Sequence, residues 1–273
     1  MKKLKKKSAK LLNKYWPNKN TRLKYFFLLI ILCLPLNFCR AADLDTDADG
    51  LSDQAETAIY HTDPALADTD ADGYKDGEEI TNGYSPRQAG QIKLKDTDSD
   101  KDGLNDALEI SLGTDLLNPD TDTDSYKDGE EVANGYNPIA GNRDRSWPRR
   151  AEVDLSLQKL YYFFNNVKIG EMPVSTGLKK TPTPIGDFTI LAKKPKVNYQ
   201  GANYSYPNTK WNLMFKNGYY LHGAYWHQQF GVKPMSHGCV NIAYADVEKL
   251  YKFMDVGDAV VIYGQTPTKA LKK

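Results

Sequence analysis

Apolar positions along the chain fall into three regimes. From Tyr25 to Leu36 they form an almost unbroken run, closed by Pro35 near its end. Between Asp43 and Ala140 they stand singly in a field of aspartates. From Val153 on they alternate with polar residues. Val153, Leu155 and Leu157 share one parity, and Leu160, Tyr162 and Phe164 repeat the pattern. A period of two is the mark of a half-buried strand. Asn165-Asn166 reads as a hairpin turn, after which Val167 and Ile169 begin the returning strand. Phe188 to Leu191, "YYLHGAYW" at 219–226 and "AVVIYG" at 259–264 predict further strands. One helix is predicted from Ala243 to Met254, with Val247, Leu250 and Tyr251 on its core face. The pattern predicts a mainly β domain of about 115 residues over 151–265, large enough for its own core, and a short tail at 266–273.

Charge divides the chain at the same places. Residues 1–42 carry 11 Lys/Arg and no acid; residues 43–140 carry 26 acids against 6 bases; residues 141–273 carry 19 bases against 9 acids. Segments this different are expected to be separate functional units. The first reads as an export signal: a basic stretch from Lys2 to Lys24, an apolar run of about 12 residues, then the small residues Ala41 and Ala42. A bilayer span usually needs roughly 17–25 residues. A cleaved signal and an uncleaved N-terminal membrane anchor both fit. Asn37 and Phe38 are wrong for a lipidated Cys39, where small residues are expected. Periplasm or cell envelope is the expected location. Cleavage would remove Cys33 and Cys39 and leave Cys239 alone, without an intramolecular disulfide partner.

The acidic segment is a fourfold repeat. Asp45, Asp47, Asp49, Asp53 and Glu56 recur as Asp68, Asp70, Asp72, Asp76 and Glu79. They recur again as Asp98, Asp100, Asp102, Asp106 and Glu109, and then as Asp120, Asp122, Asp124, Asp128 and Glu131. Each copy sets oxygens at loop positions 1, 3, 5, 9 and 12, with Gly at position 6 except for Ser125. A hard divalent cation wants roughly 6–8 oxygens, which alternate side chains on a tight turn supply, with a backbone carbonyl at position 7. Structural Ca²⁺ is the expected cofactor. Without it the crowded carboxylates repel, and the segment is expected to fold only on binding metal. Ser125 must take a backbone conformation that glycine adopts more easily, which makes the fourth loop the weakest. The two halves are themselves a duplication, since "DGEEITNGYSP" at 76–86 returns as "DGEEVANGYNP" at 128–138. Only 11 residues separate Glu56 from Asp68 and 10 separate Glu109 from Asp120, room for one short helix after each loop and none before. This arrangement resembles bacterial thrombospondin type 3 repeats over 43–140. The resemblance implies a calcium-stiffened rod with little hydrophobic core, acting as spacer or adhesive stalk. Residues 141–150, "GNRDRSWPRR", read as a linker.

Candidate chemistry lies in "SHGCVN" at 236–241. A lone cysteine is often a buried small hydrophobe. A nucleophilic one needs a base or cation to yield a thiolate, and donors for the oxyanion. His222, in "LHG", and His237, two residues before Cys239, are the candidate bases; the backbone N–H groups of Gly238 and Cys239 are candidate oxyanion donors. Zinc is a weaker reading, because one Cys and two His lack a fourth ligand. His227 belongs to no motif.

His222-Gly223 followed by Ser236 to Asn241, with 13 residues between His222 and Ser236, resembles the signature of the YkuD-type L,D-transpeptidases. "VDLSLQKLYYF", "MPVSTG" and "TPTPIGDFTI" resemble that family's opening strands and its Pro-rich approach to the site, so the likeness covers roughly 151–264 and implies a mainly β fold, a β-sandwich with one or two helices. It implies that Cys239 attacks the carbonyl before a terminal D-Ala of a peptidoglycan tetrapeptide stem, with His222 as proton acceptor and donor. His237 and Ser236 would shape the site, Gly238 would serve the oxyanion, and Gly223 and Asn241 would contact substrate. Asn241 stands where many relatives have Arg, so an ion pair to a substrate carboxylate is in doubt there. An amine from a second stem, or a wall-attached protein, would resolve the thioester; the former gives a 3→3 crosslink. Water would give L,D-carboxypeptidase action or release of a wall protein. A different class of reading is a calcium-dependent envelope adhesin whose C-terminal domain docks peptidoglycan. Cys239 and both histidines favour the enzyme, since a docking module needs no nucleophile. Nucleic acid is not expected as a partner.

Overall fold

The computed structural model describes residues 44–202 and 204–271. The expected export signal at 1–42 lies outside these residues. Among the described residues no helix is long and apolar enough to cross a membrane.

Each acidic loop runs into one short helix: α1 (Asp53–Ala55, continued by a π turn Glu56–Tyr60), α2 (Asp76–Asn82), α3 (Asp106–Leu112) and α4 (Asp128–Asn134). The position-9 aspartate opens each helix and the position-12 glutamate closes its first turn. Gly83, Gly113 and Gly135 end α2, α3 and α4 in the left-handed conformation. Loops associate in pairs. Asp49 Oδ2 accepts from the Gly77 N–H at 2.9 Å, and Asp102 Oδ2 accepts from the Gly129 N–H. Here glycine is required by close approach: a Cβ at Gly77 would lie 2.5 Å from the Asp49 carbonyl oxygen, and one at Gly129 2.6 Å from that of Asp102. The sequence duplication is thus a duplication of loop pairs. His61 Nε2 meets Asp115 Oδ1 at 2.5 Å and ties the first pair to the second.

The remaining chain forms one nine-stranded sheet in the order β4-β9-β1-β2-β3-β8-β7-β6-β5. Its strands are β1 (Arg149–Asp154), β2 (Lys159–Phe164), β3 (Val167–Ser175), β4 (Gly186–Thr189), β5 (Ala192–Gly201), β6 (Tyr204–Lys216), β7 (Tyr219–Gly223), β8 (Val240–Ile242) and β9 (Ala259–Tyr263). Pairing is antiparallel except for β1 with β9 and β7 with β8. One edge strand, β4, passes to the other, β5, through Ile190 and Leu191 alone, so the sheet must curl until its edges meet. Phe188 of β4 packs on Phe215 of β6 inside the curl, ring centroids 5.3 Å apart. Helix α5 (Tyr244–Phe253) buries Val247, Leu250 and Phe253 against the sheet. Asn165 and Asn166, with φ of 44° and 68°, make the β2–β3 turn as expected.

The alternation fails at one place. β1 ends at Asp154, and Leu157 lies 51% exposed in the turn that follows, while Gln158 is fully buried. Its amide donates to Leu155 O and Thr176 Oγ1 and its carbonyl accepts from Thr176 N–H, so a polar residue is fully satisfied where parity predicts an outward one.

The repeats are packed onto the sheet domain. Leu104, Leu112 and Val132 belong to the same buried cluster as Phe164, Leu250 and Phe253. Part of the expected linker already runs in β1, which begins at Arg149. Arg149 is 9% exposed and pairs bidentately with Asp258, at 2.7 and 3.0 Å. Its Nη1 donates to the carbonyl of Gly135, which caps α4, at 3.0 Å. One guanidinium therefore ties the last repeat to the loop before β9. Arg149→Leu leaves Asp258 buried without its partner and is expected to cost about 3–5 kcal/mol of unfolding free energy in a urea titration.

Candidate functional site

Cys239 immediately precedes β8, and His222 lies near the end of β7. These two strands are parallel neighbours, with His222 directly opposite Asn241. Residues opposite one another on adjacent strands leave the sheet on the same side. That register, which the sequence does not reveal, brings "LHG" to "SHGCVN". One cavity is lined by Tyr199, Tyr204, Tyr206, His222, Trp226, Met235, Ser236, His237, Cys239 and Asn241.

His222 is 3% exposed, and its Nδ1 lies 2.9 Å from the carbonyl oxygen of Gly223. A carbonyl only accepts, so Nδ1 carries the proton and Nε2 keeps its lone pair. Burial holds the His222 pKa down to about 4 and pushes the Cys239 thiol up to about 11. At neutral pH both groups are uncharged: an imidazole in base form beside a protonated thiol. The thiol's hydrogen-bond contact is the Gly218 carbonyl, at 3.9 Å. Tyr199 stacks on the His222 ring at 4.6 Å, and its hydroxyl donates to Asn212 Oδ1 at 2.9 Å, fixing both rings.

The turn before the thiol is held by side chains. Ser236 Oγ donates to the Cys239 carbonyl at 2.5 Å and accepts from the Gly238 N–H at 3.1 Å. The Gly238 N–H, expected to face an oxyanion, is thereby used within the turn. Gly238 has φ of +121°, and a Cβ there would meet the Tyr219 ring at 2.7 Å, so glycine is needed on both counts. Thr183 Oγ1 accepts from Gly177 N–H at 2.9 Å and donates to the Cys239 carbonyl at 3.5 Å. The Thr176 carbonyl accepts from the N–H groups of Met235 and Ser236. Gln158, Thr176 and Thr183 thus hold the cysteine turn, although no spacing pointed to them. His237 is exposed, lines the same cavity and stacks on Tyr204 at 4.6 Å. Gly223 packs under the Tyr244 ring, where a Cβ would lie 2.3 Å away. His227 stands beside Asn241, with Nε2 2.9 Å from its amide, although no motif contains it.

The acidic loops converge as their spacing requires. Asp45, Asp47 and Asp49 gather one carboxylate oxygen each, as do Asp68, Asp70 and Asp72, then Asp98, Asp100 and Asp102, then Asp120, Asp122 and Asp124. The position-9 aspartates behave differently. Asp53, Asp76, Asp106 and Asp128 spend both oxygens on the N–H and hydroxyl of the position-2 residue: Thr46, Thr69, Ser99 and Thr121. They brace the loops; Asp76 also lies close to Asp49 and Glu56 across the first pair.

The donor set fits a calcium ion. Among the described residues, buried carboxylate oxygens without a hydrogen-bond partner occur at position 3 (Asp47, Asp70, Asp100, Asp122) and position 12 (Glu56, Glu79, Glu109, Glu131) of every loop. Burial, with the neighbouring aspartates, lifts Glu56 and Glu79 to about 7, Glu131 to about 8 and Glu109 to about 9. Buried anions that face one another and no donor are what a hard cation stabilises. Ser125 sits at φ of 80°, where its counterparts are glycine. Ser125→Gly is expected to stabilise the fourth loop by about 1 kcal/mol, read as a rise in melting temperature.

A mainly β domain whose pocket holds a thiol just before one strand and a base-form imidazole on the neighbouring strand defines a Cys–His site. Residues 148–262 of the chain match the YkuD family, described as the L,D-transpeptidase catalytic domain. Residues 45–67, 68–83 and 98–119 match the bacterial TSP3 repeat. The segment is similar to "Probable L,D-transpeptidase 3" of Mycobacterium tuberculosis, 30% identical over 104 residues that cover 34% of this chain and 38% of the relative. It is also similar to L,D-transpeptidase 1 of that organism, 24% identical over 152 residues, 44% of this chain and 61% of the relative. Among solved structures it is similar to an L,D-transpeptidase from Mycobacterium smegmatis, at 26% identity, 43% and 59% coverage and a TM-score of 0.41. The chain thus spans 38% and 61% of the lengths of these two curated relatives.

Proposed function

We propose that the chain is a cell-envelope L,D-transpeptidase whose nucleophile is Cys239. The observation that carries the reading is the 2.9 Å contact of His222 Nδ1 with the Gly223 carbonyl: a proton donated there leaves Nε2 as the proton acceptor in the cavity that also holds the thiol. As Sγ attacks the carbonyl carbon before the terminal D-Ala of a tetrapeptide stem, the thiol proton passes to His222 Nε2. The tetrahedral intermediate then breaks its C–N bond. The departing D-Ala amine takes the proton from the imidazolium, leaving a thioester and neutral His222. An acceptor amine attacks the thioester, gives its proton to His222, and expels the thiolate, which recovers a proton from the imidazolium. An uncharged thiol beside a buried, uncharged imidazole favours concerted transfer over a standing ion pair, because burying the imidazolium is costly. Water in place of the amine gives the carboxypeptidase or wall-protein-releasing outcome by the same acyl-enzyme.

The repeats are proposed to hold Ca²⁺ through the Asp residues at positions 1, 3 and 5 and the Glu at position 12. The ion supplies structural charge compensation and takes no part in the reaction. The burial of Leu104, Leu112 and Val132 in the core of the sheet domain supports a brace fused to the enzyme, in place of a free spacer. Exposure to a carbapenem followed by intact-mass analysis tests the nucleophile. One adduct on the wild type and none on Cys239→Ala supports it, whereas adducts on both proteins, or on neither, count against it.

A further inference from the structure

Asn241 is 1% exposed, lines the Cys239 cavity, and stands opposite His222 in the β7–β8 register. One atom of its amide lies 2.9 Å from His227 Nε2. The other is buried and, among the described residues, has no hydrogen-bond partner. An amide has a donor end and an acceptor end, and which end faces which neighbour is decided by the hydrogen-bond network.

The network decides it through His227. The Gln229 backbone N–H points at His227 Nδ1, 3.2 Å away, so Nδ1 is an acceptor and bears no proton. The partly buried, neutral ring then carries its single proton on Nε2. A donor at Nε2 needs an acceptor opposite, and the only acceptor on Asn241's side chain is Oδ1. The NH₂ group is left at the unpartnered position. We infer that His227 is a positioning residue that turns the Asn241 amide so that its NH₂ group serves the Cys239 cavity as a hydrogen-bond donor for an oxygen of the acyl donor, a carbonyl or a carboxylate. A neutral donor selects an oxygen without requiring it to be anionic. A buried donor without a partner is costly, and a seated substrate oxygen relieves that cost. The role in catalysis rests on the acyl-enzyme reading above; the orientation of the amide does not.

The experiment therefore has two arms. Long-range ¹⁵N–¹H correlation on the histidine-labelled chain reads the His227 tautomer without any substrate. A protonated Nε2 and bare Nδ1 from pH 6 to 8 is expected; a protonated Nδ1 overturns the inference. In the second arm a carbapenem is the probe, and its acylation of Cys239 is followed at varied concentration. His227→Leu should raise the half-saturating concentration on the order of 10-fold, the worth of one lost hydrogen bond, with the limiting rate little changed. His227→Gln, whose amide can still donate to Asn241 Oδ1, should restore most of the affinity. Equal half-saturation in wild type and His227→Leu, or a loss confined to the limiting rate, overturns the role. If wild type forms no adduct, the acyl-enzyme reading fails and the tautomer alone judges the orientation.

Discussion

His222→Gln is expected to slow the acylation of Cys239 on the order of 100-fold or more while leaving the folded state intact. The side chain keeps its size and polarity but can neither accept nor return a proton. With the thiol pushed up to about 11, hardly any thiolate exists at neutral pH unless a base removes the proton during attack. His237→Gln should change the rate only a few-fold, because that ring is exposed and stacked on Tyr204. The pH profile carries a sharper signature. An imidazole acts as base only when neutral. Burial lowers His222 to about 4, so the protonated, inactive form accumulates only near that pH. The acylation rate should therefore lack the acidic limb at the ordinary imidazole value of about 6.5 and should fall only toward pH 4. A limb near 6.5 in the wild type, retained in His222→Gln, would move the base to another histidine.

The second large effect concerns calcium. Chelation should lower the melting temperature of the whole chain by roughly 10 °C or more, taking a few kcal/mol per occupied site and about 2–4 °C per kcal/mol for a domain of this size. The effect should not be uniform along the acidic segment. Leu104, the position-7 residue of the third loop, and Val132 of α4 lie in the same core cluster as Phe253 of α5. Gly135, which ends α4, accepts from the buried Arg149. The other end of α5 places the Tyr244 ring against Gly223, next to His222. Glu109→Gln with Glu131→Gln should therefore loosen α5, seen as faster amide exchange over 244–253. Glu56→Gln with Glu79→Gln should leave those amides protected. Equal protection of α5 in both double variants, with and without calcium, would mean that the repeats are energetically separate from the sheet domain.

Much of this architecture was legible in the sequence, because it is local. Loop positions 1, 3 and 5 are neighbours by geometry, so their convergence follows from spacing. The αL turn at Asn165-Asn166 and the helix around Val247 and Leu250 follow from periodicity and turn chemistry. What escaped is long-range or polar. The β5–β6 hairpin, which carries Tyr199, Tyr204 and Tyr206 to the cavity, is rich in Lys, Asn and Tyr and shows no clean alternation. Gln158 looks like a surface residue until Thr176 is folded against it. His227 has no motif, and only the loop between β7 and β8 brings it to Asn241. The position-9 aspartates read as ligands from spacing, but their oxygens are spent on the position-2 Thr and Ser residues, a use that the ligand pattern hides. Packing of the repeats against α5 was not legible, because the pattern over 43–140 shows too few apolar residues for a core and conceals that Leu104, Leu112 and Val132 enter another one.

The central claim is that Cys239 takes an acyl group from a stem peptide. The most direct measurement incubates the full chain, loaded with calcium, with a disaccharide-tetrapeptide and follows both partners by mass spectrometry. The full chain is required because residues 141–273 alone would uncover Phe253 and its neighbours, which the repeats bury. The account predicts a covalent adduct on the Cys239 peptide equal in mass to the stem minus D-Ala, free D-Ala, and then a crosslinked dimer or a tripeptide; Cys239→Ala should yield none of these. Unchanged tetrapeptide with the wild type, or the same products from Cys239→Ala, would contradict it.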